Sequence, residues 1–165
     1  LIAQHEFFLK GSETTDGLTM ALFELGGNLL REILPQWQSG ELLSEPQDES
    51  LASVTRKLER VDGSADWSLS ADELERRARA FTPWPGLFTN WNGNALKLIS
   101  VAFVASDSAE FEPGTVVATD HPDLPAAVAT TKGFLGLKTV QLEGKRAVNV
   151  ESFLNGSPSF IGSQL

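Results

Sequence analysis

The stretch Arg79-Ala80-Phe81-Thr82-Pro83-Trp84-Pro85-Gly86 limits the possible folds of this chain more than any other. Pro83 and Pro85 each remove a backbone donor, and each biases the residue before it away from helical geometry. A helix must end here, and one is signalled just upstream. Ser70-Ala71-Asp72-Glu73 has the form of a capping box, and Leu69 and Leu74 stand where a hydrophobic staple would fix the entry of the chain. Leu74, Ala78 and Phe81 fall at i, i+4 and i+7, which gives one apolar face. The spacing predicts a helix over 70–81. Trp84 is left on a rigid corner, with the expected role of a wedge between packed elements.

Downstream of this corner the signals are those of strands. Leu87 to Trp91 and Ala95 to Ala105 flank Asn92-Gly93, the favoured pair for a two-residue type I′ hairpin, in which both residues need positive φ. Thr115 to Thr119, Ala126 to Thr131 and Gly136 to Leu142 read as further strands. They are separated by an acidic loop, Asp107 to Glu112, and by a second loop, His121 to Pro125. Asn149 is placed to cap a short helix, Val150 to Leu154. Short strands with closely spaced turn signals suggest a small barrel.

Upstream, Leu1 to Leu9 reads as a strand cut from a larger sheet. Leu18, Leu22, Leu25, Leu29 and Ile33 form a helical stripe that Thr15 or Asp16 can cap, Pro35 kinks or ends, and Gly40 stops. Gly26-Gly27 lies inside that stripe at a cost of about 1 kcal/mol per glycine. Either a neighbour approaches closely there or the irregularity is simply tolerated. One strand and one helix do not cover a sheet, so residues 1–40 are expected to be the tail of an α/β domain. Residues 41–54 are polar and acidic with no periodicity, as in a linker.

Chemistry is bounded by what is present. The chain has no cysteine and therefore no disulfide or thiolate metal site. It has no apolar run of the ~20 residues that span a bilayer. No Gly-rich phosphate loop, nucleophile elbow or metal-spaced His/Asp/Glu group is found. His5 and His121 read as structural or exposed. The net charge of −9 counts against nucleic-acid binding, but it is unevenly spread. Residues 1–54 carry two basic and nine acidic groups, residues 55–85 six of each, and residues 86–165 five basic and seven acidic. Candidate phosphate contacts are Arg56, Lys57, Arg60, Arg76 and Arg79, with a second group of Lys138, Lys145 and Arg146. Arg76, Arg77 and Arg79 each follow an acid by four residues, so a salt-bridged helix face is the competing reading for them. Trp84, Phe88 and Trp91 are expected in the core rather than stacked on bases.

An ordered set of motifs adds a family. Gln47-Asp48-Glu49-Ser50-Leu51-Ala52, Lys57-Leu58, Asp66-Trp67-Ser68, Arg79-Ala80-Phe81 with Pro83-Trp84-Pro85, and Asn92-Gly93 occur in sequence. Pro113-Gly114-Thr115, Gly144-Lys145-Arg146 and Phe153-Leu154-Asn155-Gly156 follow. Together they resemble the rear half of methionyl-tRNA formyltransferases. The resemblance implies an α+β chain: a strand-plus-helix remnant of an α/β formyltransferase domain at 1–40, a linker at 41–54, and a C-terminal domain at 55–165. That domain would hold the helix 70–81 and an OB-like barrel at 86–165. The implied activity of the family is transfer of a formyl group from 10-formyltetrahydrofolate to methionyl-initiator tRNA, with this portion gripping the tRNA. The family's Asn/His/Asp constellation and folate loop are missing, so no catalytic or folate-binding residue is expected in this chain. No metal, no membrane, a monomer and a cytoplasmic location are expected, with mitochondria as the alternative location. A stand-alone nucleic-acid-binding module, or a related folate-dependent formyltransferase or hydrolase acting on a sugar nucleotide or on folate, are the rival readings.

Overall fold

A computed structural model describes all residues from Leu1 to Leu165. Internal contacts divide the chain into two units, Leu1–Lys57 and Leu58–Leu165.

The first unit is built around α1 (Thr15–Gln38), whose N-cap is Thr14. Pro35 lies within the helix, and the helix stops at Ser39 and Gly40, the latter with a φ of 78°. Leu18, Leu25, Leu29 and Ile33 are half-buried, but no residue of α1 is buried and Leu22 and Phe23 are exposed. No atom approaches Gly26 or Gly27 closely enough to touch an added Cβ, so of the two readings of this pair the tolerated irregularity fits. The strand expected at Leu1 to Leu9 is absent. A strand exists only by its ladder partner, and this unit holds no other strand. Instead, Leu1 exchanges backbone hydrogen bonds with Glu45. Residues 41–54 are almost wholly exposed, with one 3₁₀ turn at Glu49–Leu51 capped by Asp48.

The second unit contains α2 (Ala71–Ala80) and α3 (Val150–Gly156). Between them lie β1 (Phe88–Trp91), β2 (Asn94–Val104), β3 (Val116–Ala118), β4 (Ala126–Ala129), β5 (Phe134–Leu142) and β6 (Val148–Asn149). Local chemistry sets the boundaries. Ser70 accepts the Glu73 amide at the start of α2, and Asn149 accepts the Ser152 amide at the start of α3. Asn92 and Gly93 take φ values of 51° and 78° and pair Trp91 with Asn94. Both X-Pro bonds of the corner, Thr82-Pro83 and Trp84-Pro85, are cis.

All ladders are antiparallel, in the order β1-β2-β5-β4-β3, and β6 joins the far end of β5. Pairing does not close the sheet into the expected barrel, because β1 and β3 do not pair with each other. Each outer edge is capped by coil. Ser64 bridges Phe88 on the β1 side. Next to β3, the C-terminal residues exchange hydrogen bonds along Gly114–Val116: Val116 donates to Ser163, Gly162 to Val116 and Leu165 to Gly114. Exposed edges invite other strands, and these coil segments occupy them.

On the inner face, Ala71, Leu74 and Ala78 of α2 pack with Leu96, Leu98, Val128, Leu135, Leu137 and Val140. Burying each of the larger side chains is worth about 1.5–3 kcal/mol. Trp91, Phe153 and Phe160 form a mutual edge-to-face triad with centroids 5.1–5.5 Å apart. Trp91 is thus a core residue and Phe88 is half-buried, but Trp84 is 56% exposed. The corner turns its ring outward instead of wedging it.

Candidate nucleic-acid interface

The basic residues fall into three structural settings. Those of α2 are committed to ion pairs along the helix: Arg76 with Asp72, Arg77 with Glu73 at 3.0 Å, and Arg79 with Glu75 at 2.8 Å. An exposed i,i+4 pair such as Arg76–Asp72 contributes about 0.3–0.5 kcal/mol, whereas Arg79 and Glu75 are partly buried. The salt-bridged face is therefore what the helix presents. At the foot of α2, the Ser68 hydroxyl, with its amide, binds the Asp66 carboxylate and holds its pKa below the usual range, helped by Arg77.

Arg56 and Lys57 are exposed and belong to the first unit, where the Arg56 guanidinium donates to the Lys57 carbonyl at 3.1 Å.

The third setting is a groove of about 190 Å³ lined by Arg60, Ala95, Lys97, Gln141, Leu142, Glu143 and Gly144, in which the Glu143 carboxylate accepts the Ala95 amide. Several local devices build it. Arg60 opens a 3₁₀ turn, Arg60–Gly63, closed by the reciprocal pair Glu59 and Asp62. Gly63 clamps that turn to the corner: a Cβ there would stand 2.0 Å from the Gly86 carbonyl oxygen, so only glycine fits. The Ala65 amide then donates to Phe88 at 2.7 Å and holds the segment along β1. Lys97 stands opposite Gln141 across the β2–β5 ladder, on the outward side of β2 between inward Leu96 and Leu98. The Gln141 side-chain amide donates to the Lys145 carbonyl at 2.8 Å, which orders the turn carrying exposed Lys145 and Arg146. Lys138 sits at the irregularity where β2 shifts register against β5, and it has no partner in either neighbouring ladder. A bulge of this kind re-aims a side chain away from the regular pleat.

The structure therefore brings Arg60 together with Gly144, the residue before exposed Lys145 and Arg146, and adds Lys97, which the sequence reading omitted. The signal for Lys97 was the alternation Leu96-Lys97-Leu98, but its significance depends on register against Gln141. His121 is exposed and accepts the Asp123 amide at Nδ1, which orders its own loop. No group of three or more His, Asp or Glu side chains is arranged to hold a metal.

An open antiparallel sheet with a helix across its inner face defines an α+β domain. The chain belongs to the formyl transferase C-terminal domain family, whose model matches residues 57–158. The resemblance seen in the motifs extends along the chain. It is 39% identical over 156 residues to a methionyl-tRNA formyltransferase of Roseiflexus sp. (strain RS-1), covering 94% of this chain and 47% of that protein. It is 40% identical over 164 residues to one from Myxococcus xanthus (strain DK1622), covering 99% of this chain and 51% of that protein. The chain thus spans about half the length of the curated relatives it matches. Among solved structures, a HypX variant from Aquifex aeolicus superposes with a TM-score of 0.60 at 16% identity, over 94% of this chain and 28% of that one. A HypX structure in complex with tetrahydrofolic acid gives 0.57 at 16% identity, over 90% and 26%. At that identity the likeness is one of fold.

Proposed function

We propose that this chain is the tRNA-positioning rear portion of a methionyl-tRNA formyltransferase. In this reading, residues 1–40 are the tail of the catalytic domain, 41–54 the linker, and 55–165 the C-terminal domain. The open sheet with its capped edges does the work of an OB-like barrel, a fold that offers one face to oligonucleotides. The substrate of the whole enzyme is methionyl-initiator tRNA and its formyl donor is 10-formyltetrahydrofolate, in the cytoplasm. The chain alone is inactive, a monomer, and holds neither folate nor metal. Its contribution to rate is orientation of the acceptor end against a reacting centre it does not itself carry, an effect that can supply a large share of a barrier reduction.

The observation that carries the reading is the meeting of Arg60 and Lys97 in one groove, beside the single carboxylate of Glu143 and next to the turn that bears exposed Lys145 and Arg146, within a chain that matches methionyl-tRNA formyltransferases over most of its length. Filter binding with initiator tRNA tests it. With about three phosphate contacts, affinity falls roughly 40-fold between about 50 and 200 mM salt. Absence of binding at the lower salt overturns the reading. Equilibrium dialysis against labelled folate is expected to show no retention.

A further inference from the structure

The loops between β2 and β5 of the second unit are acidic. Between Lys97 and Lys132 the chain has no lysine or arginine and five carboxylates: Asp107, Glu110, Glu112, Asp120 and Asp123. These flank or line a second groove, of about 300 Å³, on the outer face of the sheet. Val104 at the end of β2 and Phe134 at the start of β5 lie in it, with Phe111, Val117 and Asp107. Lys97 and Val104 are seven residues apart on one strand, so this groove lies about 23 Å from the basic one.

The groove is apolar and preformed. Ala127, Ala129 and Phe134 make a small cluster with Val104 and Val117, on the face opposite the main core. Phe111 meets Phe134 edge to face at 5.8 Å yet remains 41% exposed. Its loop is pinned. The buried Ser108 hydroxyl donates to the Thr130 carbonyl at 2.9 Å, the Ala109 amide to Asp107 at 2.9 Å, and the Phe111 amide to Ser108 at 3.0 Å. The facing loop is closed by Thr119, whose hydroxyl donates to the Leu124 carbonyl. An exposed aromatic held this firmly presents a fixed surface, and a preorganised surface binds without the ordering cost of a mobile one.

We propose that this groove docks a protein partner through a segment that presents an aliphatic or aromatic side chain between lysines or arginines. Charge complementarity selects that occupant. Five carboxylates repel RNA and anionic lipid, while they steer a basic segment and fix its register. The proposal concerns the other end of the sheet and different residues from the RNA reading and does not rest on it.

The test uses the full chain, labelled with nitrogen-15, and three acetylated hexapeptides followed by amide shifts. The first has a central Leu-Phe pair flanked by lysines and arginines, the second the same pair flanked by glutamates, and the third a central Ala-Ala pair flanked by basic residues. The first is expected to shift the amides of Phe111, Val117 and Thr119 saturably. The other two are expected to bind about tenfold or more weakly, a difference of about 1.4 kcal/mol. Phe111→Ala and, separately, the exposed pair Asp120→Lys with Asp123→Lys are each expected to weaken the first peptide about tenfold; the second change leaves the cluster around Phe134 untouched. Equal binding of the glutamate peptide overturns the proposal, as does the absence of shifts at these amides. Displacement of the peptide by a uridine oligonucleotide would make the groove an RNA site. Shifts that follow protein concentration without peptide would make it a self-association face. Either outcome also overturns the proposal.

Discussion

The two longer helices make opposite use of their apolar residues. α1 runs for 24 residues and buries none of them, whereas α2 runs for ten and buries Ala71, Leu74 and Ala78. Their sequences would not suggest this order. The stripe of α1 is longer and richer in leucine, while α2 is mostly charged. A periodic stripe therefore records a face that needs cover, and only packing shows whether the chain supplies that cover itself. In the second unit it does, through the sheet and the Trp91–Phe153–Phe160 triad.

Substitutions sharpen this contrast. Phe160→Ala removes a fully buried ring from the triad, and thermal unfolding of the second unit is expected to lose about 3–5 kcal/mol. Gly63→Ala forces a methyl into the Gly86 carbonyl. A cost of about 1–3 kcal/mol is expected from denaturant titration, with Arg60 released from its groove and tRNA affinity reduced along with it. By contrast, Phe23→Ala on α1 is expected to change stability by no more than about 0.5 kcal/mol, since its ring is 78% exposed. A larger loss there would mean that α1 is covered within this chain after all.

The smallest expected effect concerns pH. Asp66 has a native pKa lowered by the Ser68 hydroxyl and amide, so its contribution is present above the unfolded carboxylate pKa of about 3.9 and is lost as pH falls through the native value. In Asp66→Asn the acid limb of the stability curve below about pH 4 should flatten slightly. An unchanged acid limb would remove Asp66 from the account.

The legible parts of this fold were those governed by short-range chemistry. Ser70, Asn149 and the Asn92-Gly93 pair each act on a backbone group within a few residues, and each acts as its local sequence indicates. The rest depends on partners distant in sequence. Leu1 to Leu9 has the composition of a strand but no ladder to join. Trp84 and Trp91 are the same residue type seven positions apart, and only the three-dimensional path turns one outward and one inward. The sheet is open, and Ser64 and the C-terminal residues, neither of which carries a strand signal, lie along its edges. The candidate site was half visible for the same reason. The Gly144-Lys145-Arg146 turn could be read directly, whereas Lys97 acquires its place only from register against Gln141.

The central claim is that RNA is gripped at the basic end of the β2–β5 ladder and nowhere near its acidic end. Amide shift mapping of the labelled chain with initiator tRNA at low salt tests this most directly. The account predicts perturbation at Ala95, Lys97, Gly144 and Lys145, with Asp107 to Asp123 unmoved. Perturbation centred on Phe111 and Thr119, or none at Lys97 and Lys145, would contradict it.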